Sequence, residues 1–101
     1  MRRQNGFHKY DSQNKIAIKF RAQSHYNLKN FKLAIEDFSK LIEMGNADDV
    51  IYNLRGSSNG FLNQHKLAVK DFDKAISINP RILIYYKNRV VSRFNIGNNK
   101  G

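Results

Sequence analysis

Apolar residues recur at three- and four-residue steps through Phe31, Ala34, Ile35, Phe38, Leu41 and Ile42, the spacing of one helix face. A second amphipathic stripe follows at Leu67, Ala68, Phe72, Ala75 and Ile76, and no stretch reads as a convincing strand. Upstream of each stripe lies another apolar segment. The first carries Ile16, Ile18, Phe20, Ala22 and Leu28, and the second carries Ile51, Tyr52, Leu54, Phe61 and Leu62. The spacing predicts five helices. Asp11 or Ser12 caps the first by accepting hydrogen bonds from its free amides, and Asn30 marks the turn after it. The second helix spans about Phe31 to Met44, with Gly45 in the left-handed position that closes many helices. Asp48 or Asp49 caps the third, whose centre, Ser57-Ser-Asn-Gly60, is poor helix-forming material. The fourth spans about Lys66 to Ile78, and Pro80 cannot continue it. The fifth spans about Ile82 to Ile96 and stops at Gly97.

These elements repeat. Lys32-Leu-Ala-Ile-Glu-Asp-Phe-Ser-Lys-Leu-Ile42 returns 34 residues later as Lys66-Leu-Ala-Val-Lys-Asp-Phe-Asp-Lys-Ala-Ile76, identical at seven of eleven positions. The same offset links Ile18, Tyr52 and Tyr86; Arg21, Arg55 and Arg89; Ser24, Ser58 and Ser92; and Leu28, Leu62 and Ile96. One supersecondary unit is therefore used more than twice. The units are residues 15–48, 49–82 and a partial third at 83–97, within a domain of residues 13–97. Residues 1–12 are expected to form a flexible basic arm, and residues 98–101 a frayed tail.

A helix pair every 34 residues, with Ala34…Phe38 and Ala68…Phe72, Ala22 and Gly56 on the preceding helices, and a closing Pro80, resembles the tetratricopeptide repeat. The likeness covers about residues 15 to 96. It departs where Gly45-Asn46 replaces the first closing Pro, where His25, Asn59 and Arg93 replace the usual aromatic, and where Val90 replaces a small residue. The resemblance implies an all-α, right-handed α-solenoid of antiparallel helix pairs, a protein-interaction scaffold whose first helices line a concave groove. In the subfamily that grips a partner's C-terminal carboxylate, the matching positions here are Lys19, Gln23, Leu54, Ile84 and Asn88. Only Lys19 fits cleanly and Gln23 nearly does, so the chain looks unlike a carboxylate clamp.

Composition narrows the function. The net charge is +10, with 13 Asn and 11 Lys spread along the chain and no block of like charges. Such a balance suits an acidic protein partner, nucleic acid or an anionic membrane surface. Cysteine is absent, which excludes disulfides and thiolate chemistry. No run approaches the roughly 18 apolar residues of a membrane helix, and no apolar stretch follows the charged N-terminus, so an intracellular, cytoplasmic protein without membrane insertion is expected.

Candidate chemistry is sparse. His8, His25 and His65 are isolated, and Asp48-Asp49 reads as a cap, so no enzyme activity, metal or cofactor is expected. Three groove rows are the better candidates: Lys19, Asn53 and Lys87; Gln23, Ser57 and Val91; Tyr26, Gly60 and Phe94. They would hold an extended acidic segment of another protein, with Lys19, Gln23, Tyr26, Asn53, Ser57, Lys87 and Phe94 in contact. A basic nucleic-acid- or ribosome-associated module is the alternative, although it usually shows clustered bases with exposed aromatics. The columns Arg21–Arg55–Arg89 and Asp37–Asp71 read as structural bridges between stacked helices. On the last helix, Ile82, Tyr86, Val90 and the stem of Arg89 are expected to pack inward. That leaves Tyr85, Val91 and Phe94 for self-association or a continuing array.

Overall fold

The computed structural model describes the backbone of residues 7–100 and the side chains of residues 15–98. Five helices follow one another: α1 (Phe7–Asn27), α2 (Phe31–Glu43), α3 (Asp49–Phe61), α4 (His65–Ile78) and α5 (Leu83–Lys100). Among the described residues there is no strand. Each helix packs on the next, and α3 also touches α5, so α1, α3 and α5 form one side of a helical-repeat solenoid measuring 60 × 27 × 19 Å. Both outer ends depart from the sequence reading. Helix α1 starts at Phe7, so the part of the expected arm from residue 7 to residue 12 is helical, and residues 1–6 lie outside the described set. Helix α5 runs through Gly97 to Lys100 instead of fraying, because Gly97 keeps a helical backbone rather than the left-handed one that ends a helix.

The turns repeat as faithfully as the helices. Lys29 and Asn63, 34 apart, both take the left-handed conformation, at φ 66° and 63°. Each lets the following amide bond back into the helix, Asn30 N to His25 O and Gln64 N to Asn59 O, both at 2.8 Å. Gly45, at φ 71°, does the same after α2, where Asn46 N reaches Leu41 O at 2.9 Å. Asp48, rather than Asp49, caps α3 by accepting from Ile51 N at 3.0 Å.

Burial follows the α2 and α4 stripes. Ala34, Phe38 and Leu41 meet Ala22 and Ile51 in a fully buried cluster, and Ala68, Phe72 and Ala75 are buried in the next unit. Each large side chain so buried contributes about 1.5–3 kcal/mol. Small residues set how closely the helices approach. A Cβ on Gly56 would stand 2.7 Å from Phe72 Cε1 and 3.1 Å from Asp71 Cβ, so only glycine admits α4 at this distance.

Helix α5 packs on a different face from the one expected. Tyr85 and Ser92 are buried and Asn88 half-buried, whereas Val90 is 64% exposed. The hydroxyl of Tyr85 donates to Asp49 Oδ2 at 2.7 Å, which joins α5 to the start of α3. The reason is the solenoid itself. A first helix of a unit touches the helix before it with one face and its own partner helix with another, and the sequence stripe of α5 mixes the two. Leu67, expected inside, is likewise half exposed.

Candidate functional site

The three arginines of the 34-residue column form a ladder. Arg21 Nε and Nη2 each donate to Asp37 at 2.8 Å, and Arg55 Nε and Nη2 donate to Asp71 at 2.9 and 2.7 Å. Arg55 also donates through Nη1 to Ser39 Oγ at 3.0 Å, and Arg89 Nη1 donates to Asp73 at 2.7 Å. Ser39 and Asp73 are themselves 34 apart. An arginine thus faces the helix before it through one residue of each unit and its own partner helix through another. Planar guanidinium and carboxylate groups pair with two parallel bonds, which fixes angle as well as distance. These bonds hold the Asp37 carboxyl below the usual carboxylate range despite its burial, and they raise the Arg21 and Arg55 guanidinium groups. Each of the three arginines is therefore engaged with a neighbouring helix, and the Ser39–Asp73 column is one that the sequence reading did not name.

On the side formed by α1, α3 and α5, Lys19 and Lys87 are exposed and among the described residues take part in no ion pair. Asn53 stands between them, but its Oδ1 accepts from Asn88 Nδ2 at 3.0 Å, so its carbonyl is already engaged. Gln23 and Ser57 are half-buried, while Val91 is 50% exposed. In the third row, Tyr26 packs edge-on against Phe31 at 5.7 Å, and Phe94 stands exposed. Phe31 in turn stacks on Phe61 at 4.5 Å with the rings 12° apart, leaving the Phe61 ring largely open to solvent. Sequence reasoning named neither Phe61 nor the exposed row Ile16, Val50 and Ile84 as surface features. The 34-residue spacing marks Ile16, Val50 and Ile84 as equivalent positions, but their exposure is seen only in the fold.

Between α3 and α5 the surface sinks into a recess of about 270 Å³. Phe61, Phe72 and Val91 supply apolar walls, and Ser57, Asn88 and Ser92 supply polar edges. His65 also lines it, nine-tenths buried, and its Nδ1 has no hydrogen-bond partner. His25 Nδ1 is buried and unpartnered in the same way.

Among the described residues no three of the metal-ligating types gather, and Asp49, the acidic residue of α3, is held by Tyr85 and by Asn79 Nδ2 at 3.4 Å. No helix of the described residues is long and apolar enough to cross a membrane. The exposed groups on α1, α3 and α5 include the cations Lys19 and Lys87 and the ring of Phe94. The family model described as the tetratricopeptide repeat matches residues 20–46 and 50–82. No curated protein matches the chain.

Proposed function

Since the chain belongs to the tetratricopeptide repeat family, whose repeats generally mediate protein–protein interaction, we propose that its concave side holds an extended acidic segment of a partner protein. One observation carries the acidic character. From Lys15 to Asn27, and along all of α3 and α5, the only acidic residue is Asp49, which is engaged with Tyr85 and Asn79. The same stretches carry Lys15, Lys19, Lys87, Arg93 and Lys100 in addition to the arginines of the ladder. Carboxylates lie mainly on α2 and α4, where Asp37, Asp71 and Asp73 neutralise those arginines from behind. The repeat thus separates charge, leaving unpaired positive charge on the groove side.

Lys19 and Lys87 stand two repeats apart, so a single small anion cannot bridge them and a chain running along the groove can. Amide and hydroxyl groups at Gln23, Asn53 and Ser57 would bond the ligand backbone, with Tyr26 and Phe94 beside them. Exposed charges of this kind each contribute modestly and weaken with salt. The test is capture of partners from nuclease-treated lysate, comparing the wild type with a Lys19→Glu, Lys87→Glu variant of equal helical content. Loss of the captured proteins in the variant supports the reading. Retention of the same partners would move the binding site off the groove, and loss after nuclease alone would make the ligand nucleic acid.

A further inference from the structure

The third groove row reads Tyr26, Gly60 and Phe94, so an aromatic ring stands on either side of a position with no side chain. Nothing in the packing requires that glycine. A Cβ on Gly60 would meet only Ser92 Oγ, at 3.9 Å, and its backbone is not left-handed. Gly56, one turn earlier, is the contrast, because there a Cβ would collide with Phe72. A glycine inside a helix costs about 1 kcal/mol relative to alanine, and at Gly60 no closer helix contact offsets that cost. Gly60 lines the recess between α3 and α5, which a side chain much larger than alanine would fill.

We propose that this recess is a subsite for an aromatic side chain of the partner segment, with the ring of a tyrosine matching its mixed lining. The inference rests on the groove reading given above and adds to it the chemistry of one ligand residue. Size is the first argument. The recess measures about 270 Å³. An apolar cavity of about 150 Å³ already accommodates benzene, so a phenol ring fits here with space for its linkage to a backbone. The walls are the second. Phe61 has one face stacked on Phe31 and remains 63% exposed, which leaves ring surface for a further aromatic, and Val91 stands half exposed across from it. Offset and edge-on aromatic contacts are favourable beyond their buried area. The polar edge is the third. Ser92 and Asn88 border the recess, so a hydroxyl is better matched than a bare ring. Lys87, on the same helix as Val91, suits carboxylates flanking that aromatic.

The probe is p-cresol, the tyrosine side chain without its backbone, titrated into the whole ¹⁵N-labelled chain at millimolar concentration and followed by amide shifts. The expected result is saturable shifts at Gly60, Val91 and Ser92, with toluene binding more weakly. Gly60→Phe, which places a ring in the recess from within, should weaken p-cresol binding by about tenfold or more. Gly60→Ala should retain it. Val91→Arg on the opposite wall gives an independent reading should Gly60→Phe lose its helical content. Absence of shifts at these amides, or equal binding by wild type, Gly60→Phe and Val91→Arg, would overturn the subsite. The Lys19→Glu, Lys87→Glu variant should bind p-cresol as wild type does. Failure of p-cresol alongside lysine-dependent partner capture therefore removes the subsite and spares the groove, whereas p-cresol binding without lysine-dependent capture removes the groove reading.

Discussion

Arg55 grips Asp71 with two parallel hydrogen bonds, Nε to Oδ2 at 2.9 Å and Nη2 to Oδ1 at 2.7 Å, although the two residues lie on different helices. The side chain of Arg55 is 24% exposed and that of Asp71 only 5%, whereas Arg21 in the equivalent pair is 53% exposed. Screening by water should therefore grade the two rungs. Double-mutant cycles with alanine should give a coupling of about 1–3 kcal/mol for Arg55 and Asp71, measured by urea unfolding. The Arg21–Asp37 pair should fall within the roughly 0.2–1 kcal/mol of exposed pairs. Equal couplings would show that burial does not set the strength of the ladder.

Gly56 and Gly60 predict opposite signs for one chemical change. Gly56→Ala should destabilise by about 1–2 kcal/mol, since the Phe72 ring must move and overpacking outweighs the gain in helix propensity. Gly60→Ala, with open space around its Cβ, should stabilise by about 0.5–1 kcal/mol. Thermal unfolding followed by circular dichroism distinguishes them.

Acid should weaken the first rung. The Arg21 hydrogen bonds hold the Asp37 carboxyl below its ordinary range, so the folded state releases that proton more readily than the unfolded chain. Its stabilising contribution is complete above the unfolded carboxylate value of about 3.9 and is lost as pH falls through the lower, folded value. In Asp37→Asn that part of the acid limb should disappear from a plot of unfolding free energy against pH. An unchanged acid limb would place the titration elsewhere.

Tyr85 predicts an alkaline counterpart. Burial, and then the bond to Asp49, pushes its phenol up to about 12. The folded state therefore keeps the proton longer than the unfolded chain, and the resulting stabilisation is complete below about pH 10 and lost as pH rises toward the folded value. Tyr85→Phe should cost about 1–3 kcal/mol at neutral pH, as expected for a hydrogen bond to a charged group. Alkaline titration at the tyrosinate absorbance should lose its latest step in the same variant.

The architecture was legible because two helices and their turns are written twice. Ala34 and Ala68, Phe38 and Phe72, and the arginine and aspartate columns occupy equivalent places in sequence and in space. Helix faces were less legible where one helix serves two neighbours. Tyr85 and Val90 exchange the roles expected of them because the apolar stripe of α5 does not say which neighbour it meets. The 34-residue spacing puts Lys19 and Lys87 at equivalent positions, and both are exposed. Engagement of Asn53 by Asn88 and the recess beside Gly60 depend on how α3 and α5 lean together, which no periodicity records.

The close approach of Gly56 to Phe72 also orders events in time. Helix α3 contains two glycines and the weak run Ser57-Ser-Asn, so alone it is a poor helix. The ring that covers Gly56 lies downstream in the chain, as does Asp71, the carboxylate that receives Arg55. As the chain leaves the ribosome, the α1–α2 pair can close upon itself while α3 is still waiting for α4 to be made. The middle of this protein is therefore completed from its C-terminal side, and the edge of α2 that meets α3 stays uncovered until α4 is available to complete α3.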